Sequence, residues 1–68
     1  MSMHPLTKRE LEILQLVLDG LTNRQIATRF GTSCQTIKNQ LTGLYPKLDA
    51  TNRTQAIVAA LRKGYLHL

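Results

Sequence analysis

Acidic residues are the scarcest charged type, four in 68 against nine lysines and arginines, and none lies between Gly20 and Leu48. One cysteine, Cys34, excludes an internal disulfide framework and suits a reducing compartment. Tryptophan is absent, other aromatics are few, and period-two alternation is missing, so nothing reads as a strand. No apolar run approaches the length of a membrane span, and the opening MSMHPLTKRE lacks the apolar core of a signal peptide. His4 and His67 lie near opposite ends and make no metal site with a single cysteine. No nucleophile stands at a readable spacing from a base and a carboxylate, and no phosphate-cradling loop is present. These absences argue against an enzyme, a membrane protein and a domain that needs a metal or cofactor. What remains is one cytoplasmic domain spanning residues 1–68. Its hydrophobic fraction of 43% is enough for one core, and just enough. A chain this short buries only about 60% of the surface it exposes when unfolded.

The positive charge is unevenly spread. Residues 1–19 carry Lys8 and Arg9 against Glu10, Glu12 and Asp19, a net of −1. Residues 20–48 carry Arg24, Arg29, Lys38 and Lys47 with no acid, a net of +4. Residues 49–68 carry Arg53, Arg62 and Lys63 against Asp49, a net of +2. A polyanion could approach the middle of the chain without meeting repulsion. Charge alone does not separate that reading from a chance gap between four acids.

Four helices can be read, over approximately residues 8–19, 23–30, 34–45 and 53–63. The first opens on Thr7-Lys8-Arg9-Glu10, a capping box, with Leu6 and Leu11 placed for a hydrophobic staple. Leu11, Leu14 and Leu18, with Ile13 and Val17 beside them, form its apolar face, and Gly20 suits a left-handed stop. Thr22-Asn23-Arg24-Gln25 repeats the box, with Leu21 and Ile26 as the second staple. Ile26, Ala27 and Phe30 give that short helix one apolar edge before Gly31 ends it. Ser33 is the natural cap of the third helix. Pro46 should kink or end that helix near Tyr45, leaving Lys47-Leu48 in a looser turn. The fourth helix opens at Asn52 with Gln55 as a cap pairing, and Arg62 and Lys63 complement its dipole.

The third helix is the informative one. Ile37, Leu41, Leu44 and Leu48 fall at i, i+4, i+7 and i+11, a single narrow stripe. The opposite face shows Gln35, Lys38, Asn39 and Thr42 and no carboxylate. A short helix, a Gly-containing turn and a longer helix make the helix-turn-helix pattern. Base edges in a major groove are read by amides, hydroxyls and cations, whereas a carboxylate would meet the phosphate field. Lys38 can reach guanine acceptors, Asn39 can pair with adenine, and Thr42 can touch a thymine methyl. Gln35 joins them as a fourth base-reading candidate. Ser33 and Thr36 stand at the helix start, where free N–H groups favour a phosphate, although capping accounts for both as well. Asn23 and Arg24 open the helix that crosses the DNA backbone in this motif. Lys47 and Arg53 are further phosphate candidates, with plain solvation as the alternative. Cys34 sits in the first turn, where a dipole would stabilise a thiolate; a small residue tolerated at a helix start is the simpler account.

The motifs LTKRELEIL, GLTNRQIA, SCQTIK, KL and NRTQAIVAAL, in this order, resemble the LuxR-type (NarL/FixJ/GerE-like) DNA-binding domain from Leu6 to about Leu66. The resemblance implies an all-α, four-helix helix-turn-helix fold with the third helix in the major groove. It implies transcription regulators that bind a pseudo-palindromic duplex as homodimers, with RNA polymerase as a further candidate partner. Positions matching Lys38, Asn39 and Thr42 point at bases in that family. Dimers there form through the fourth helix, which singles out Val58 with Thr54 and Arg62 around it. Three positions depart from the pattern: Gln40 stands where His is usual, Thr32 replaces an aliphatic residue, and Pro46 interrupts a helix that normally continues. Two rivals share the motif, a sigma-factor-like promoter-binding region and a module that uses the fold to bind a protein regulator.

Overall fold

The computed structural model describes residues 6–68; His4 lies outside them. The described residues form four α-helices, α1 (Lys8–Leu18), α2 (Asn23–Phe30), α3 (Cys34–Leu44) and α4 (Arg53–Arg62). A 3-10 turn, Tyr45–Leu48, joins the last two. The described residues contain no strand, and the class is all-α as expected. The break at Pro46 falls where its chemistry demands, but Lys47 and Leu48 lie in a 3-10 turn rather than the looser turn expected. Proline has no N–H to continue the α3 ladder, so α3 stops at Leu44 and the chain tightens into the 3-10 turn, where proline occupies a first-turn position.

The core is built from one stripe of each helix. Ile13, Leu14, Ile26, Ile37 and Leu44 are its largest fully buried side chains. Helix α3 packs against both α1 and α2, and the 3-10 turn carries the contact on to α4. Helix α4 contributes small residues, with Ala56 and Ala60 both at 0% exposure, which lets its backbone come close. In α1 the centre of burial is displaced from the expected stripe. Ile13 and Leu14 are buried, while Leu11, Val17 and Leu18 are half-buried. Helix α1 is packed by α2, α3 and α4 together, so two neighbouring positions about 100° apart on its circumference are both covered.

Local chemistry closes nearly every helix end. Thr7 and Glu10 form a complete capping box on α1, and Thr22 and Gln25 form another on α2. At α4 the pairing is split between neighbours. Asn52 accepts from the Gln55 N–H at 2.9 Å, but the Gln55 carbonyl turns to Thr51, taking its N–H and its hydroxyl at 2.8 Å each. Thr51 offers two donors where Asn52 offers one, so the expected reciprocal bond moves back one residue.

The C-terminal ends share one device, a 6→1 bond enclosing a 5→2 bond around a left-handed residue. Leu21 N–H donates to Leu16 and Gly20 to Val17 after α1. Thr32 and Gly31 repeat this after α2, and Tyr65 and Gly64 after α4. After the 3-10 turn, Ala50 donates to Tyr45 and Asp49 to Pro46. Three of these four turns place glycine at the left-handed position; the fourth holds Asp49 at φ 54°. Finally, Gln15 of α1 grips the backbone of His67. Its Nε2 donates to the His67 carbonyl at 2.8 Å and its Oε1 accepts the His67 N–H at 3.1 Å, beside the buried Leu66.

Asp49 is the strained member of that set. Replacing it with Gly is expected to stabilise the fold by roughly 0.5–1 kcal/mol, and replacing it with Val to destabilise it by about 1–2 kcal/mol. Thermal unfolding followed by circular dichroism should order the Tm values Gly, Asp, Val from highest to lowest; any other order removes the strain account.

Candidate nucleic-acid interface

The rotation of α3 is fixed by what it buries. Ile37, Leu41 and Leu44 are 0–2% exposed, so the opposite face is turned to solvent. Gln35, Lys38, Asn39 and Thr42 are all exposed on that face. Gln35 Nε2 donates to Asn39 Oδ1 at 2.9 Å, and Thr42 Oγ1 donates to the Lys38 carbonyl at 2.9 Å. Lys38 has no ion-pair partner among the described residues. The face therefore offers a free ammonium, an amide pair, and the methyl and acceptor oxygen of Thr42, with no carboxylate on the helix.

The start of α3 is capped by its own side chains. Ser33 accepts from the Thr36 N–H at 3.1 Å, and the two hydroxyls lie 2.9 Å apart. Both residues are thus held in the turn, with Ser33 exposed and Thr36 half-buried.

Asn23 and Arg53 are brought together from the first turns of α2 and α4. Arg53 Nη2 donates to Asn23 Oδ1 at 2.6 Å, while Arg53 Nε is buried without a partner among the described residues. A half-satisfied guanidinium therefore sits where two helix dipoles present their positive ends, a setting that suits an approaching anion. Arg24, the next residue of α2, is exposed and has no ion-pair partner among the described residues. Gln40 lies half-buried on α3, and its Oε1 has no hydrogen-bond partner among the described residues. Cys34 is exposed and free.

Lys47 is neither a free cation nor remote from acids. Its Nζ lies 3.0 Å from both carboxylate oxygens of Glu10. The acid-free run of sequence is therefore not acid-free in space, because α1 supplies a carboxylate to it. Plain solvation is likewise replaced at Arg53 by the bond to Asn23. Glu10 is held from two sides, since its Oε1 also takes the Thr7 N–H at 2.9 Å. Burial works to raise the Glu10 pKa, but the Thr7 N–H, the Lys47 ammonium and the Thr7 hydroxyl together outweigh it. Its carboxyl titrates below the ordinary 4.5.

Helix α4 carries a separate surface. Val58 is 41% exposed, with Thr54 and Arg62 exposed on the same side. They line a shallow groove that Leu48 and Asp49 continue. Among the described residues no group of three His, Cys, Asp or Glu could hold a metal, and no helix is long and apolar enough to cross a membrane.

Sequence reasoning missed Glu10 as a neighbour of this surface. The capping box accounted for it fully, and nothing in a spacing of 37 residues couples it to Lys47. The Gln35–Asn39 bond was within reach, since amides four apart on a helix face each other.

The family of bacterial regulatory proteins called the luxR family matches residues 4–60. The transcriptional regulatory protein DegU of Brevibacillus brevis is 39% identical over 64 residues, which cover 94% of this chain and 27% of DegU. The structure of the transcription factor GerE superposes with a TM-score of 0.86 at 35% identity, covering 91% of this chain and 92% of that one. A Vibrio cholerae VqmA–ligand–DNA complex superposes with a TM-score of 0.84 at 34% identity, covering 96% of this chain and 28% of that one. The chain thus spans about a quarter of DegU and nearly all of the GerE chain.

The Glu10–Lys47 pair should leave a signature in acid. A carboxyl whose folded pKa is depressed contributes stability above its ordinary value of 4.5 and loses it as pH falls through the folded pKa. Glu10→Gln keeps an acceptor for Thr7 and removes the charge. It is expected to cost at most about 1 kcal/mol at pH 7. Urea unfolding at pH 7 and pH 3 should show the difference between native and variant shrinking at the lower pH. A difference independent of pH would mean that the charge contributes nothing.

Proposed function

The chain belongs to the luxR family of bacterial regulatory proteins, and we propose that it is a sequence-specific DNA-reading domain acting in transcription regulation. The observation that carries this reading is the outer face of α3, which exposes Gln35, Lys38, Asn39 and Thr42 and no acid. In the proposed complex α3 lies in the major groove. Lys38 donates to guanine, Asn39 pairs with adenine, and the Thr42 methyl meets thymine, with Gln35 at the same edge. Because Thr42 gives its proton to the Lys38 carbonyl, it can offer a base its methyl or its oxygen as an acceptor, but no donor.

Phosphates would be held around that helix. Arg24 offers a free guanidinium, Asn23 and Arg53 stand together at two helix starts, and Ser33 and Thr36 flank the N–H groups of α3. Lys47 reaches a phosphate by exchanging Glu10 for it. The exposed Val58, with Thr54 and Arg62, is the proposed contact between two copies across a two-fold axis. Such a dimer places two α3 helices in successive major grooves about one helical turn apart, on a pseudo-palindrome. The work of such a domain lies with cytoplasmic DNA, with RNA polymerase as the neighbouring machinery, and involves no catalysis.

Enrichment of a random duplex library on the 68-residue chain tests this directly, at low and moderate salt. The expected result is a pseudo-palindrome with half-sites about 10 base pairs apart. Asn39→Ala should weaken the preferred site by about 5- to 150-fold and leave random duplex nearly unchanged. Arg24→Ala should weaken all duplexes alike and lower the salt slope by about 1. Selection of a single half-site would keep the reader and remove the dimer. Equal loss on both duplexes for Asn39→Ala would remove its base-reading role, and no binding at low salt would remove the proposal.

A further inference from the structure

The side chains on the outer face of α3 are not independent. Lys38 can only donate. Thr42 has spent its proton on its own helix. Asn39 is the one member that must both give and take a hydrogen bond to pair with adenine, donating to N7 and accepting from N6. A primary amide has a donor end and an acceptor end of nearly equal size, so what it asks of a base depends on which way round it is held. An exposed asparagine with no neighbour can turn either way.

Asn39 has a neighbour. Gln35, one turn earlier on the same face, donates from Nε2 to Asn39 Oδ1 at 2.9 Å. That bond draws the oxygen toward the start of α3 and sends the Nδ2 donors the other way. The oxygen keeps a second lone pair for an adenine N6 proton. The reverse arrangement, with Asn39 donating to residue 35, would offer the groove the opposite pattern. Gln35 does not cap α3, because Ser33 does so through Thr36. Its side chain is exposed and gives one of its two amide N–H groups to Asn39.

Building on the DNA-reading role above, we propose that Gln35 is a positioning residue for Asn39. Its amide nitrogen holds the Asn39 carboxamide in the orientation that selects adenine at one base pair of each half-site. Residue 35 therefore sets the preference at a base pair that residue 39 reads.

The experiment compares the native chain with Gln35→Met, Gln35→Lys and Asn39→Ala, each enriched on the same duplex library. Each is then titrated on the selected site and on single-base-pair variants of it, with circular dichroism melting to confirm the fold. Gln35→Met fills similar space and cannot donate, whereas Gln35→Lys restores a donor four residues before Asn39. The quantity read is the ratio of affinities between adenine and the other bases at each position. A change in net charge acts through the phosphates on all duplexes alike, and any guanine contact made by a lysine at position 35 shows as a gain of guanine, separate from recovery of adenine. The expected result is one relaxed position per half-site in Gln35→Met, with its adenine preference reduced at least about fivefold. It should be the position relaxed in Asn39→Ala, and Gln35→Lys should recover it. Unchanged preference in Gln35→Met, or relaxation at a different position, overturns the positioning role while leaving the DNA-reading role intact. A native chain that enriches no sequence overturns both.

Discussion

The burial of Ile37, Leu41 and Leu44 against α1 and α2 is the constraint on which the rest depends. A helix has one rotational freedom that matters to function, and three side chains at almost no exposure remove it. Rotating α3 by one position would bring Lys38 into the core and Ile37 into water, at the cost of an unpaired buried charge as well as lost apolar contact. The composition of the outer face is therefore a free choice, made against a fixed background. Polar side chains gathered there do not contribute to the core, so their chemistry can be matched to a partner.

That background is built economically. A core of thirteen buried hydrophobic residues among those described leaves little margin for unsatisfied backbone groups at helix ends. The capping boxes and the paired closing bonds meet that need locally, within five residues of chain, and so leave the tertiary contacts to packing. Among the described residues, long-range polar links do specific jobs: Glu10 to Lys47 joins α1 to the 3-10 turn, Arg53 to Asn23 joins α4 to α2, Gln15 ties α1 to the backbone of His67, and Arg9 lies 3.9 Å from the centre of the Phe30 ring between α1 and α2. Two of these links engage cations that flank the outer face of α3. Glu10 thus balances the charge of Lys47, whereas Arg53, bonded to a neutral amide, keeps its full positive charge.

The fold was legible where its causes are local. Thr7 with Glu10, Thr22 with Gln25, Ser33, Pro46 and the helix stops at Gly20 and Gly31 each act within a few residues, and each could be read from spacing alone. The stripe of α3 was legible for the same reason. The centre of α1 was not, because α1 is packed by three helices at once, which no periodicity records. The pairing of Arg53 with Asn23 spans 30 residues and that of Lys47 with Glu10 spans 37, so both depend on the completed packing. Gln35 and Asn39 are different: they lie four residues apart on one helix face, so their contact is local and legible from spacing.

The grip of Gln15 on residue 67 has an evolutionary side. Both bonds go to main-chain atoms, which every residue at position 67 except proline supplies in full. Substitution is thus almost unrestricted at one partner and tightly restricted at the other, since the side chain at position 15 must be a carboxamide of the right length. Two positions in intimate contact can in this way show no correlated change, and a contact of this kind would escape any search that looks for residues varying together.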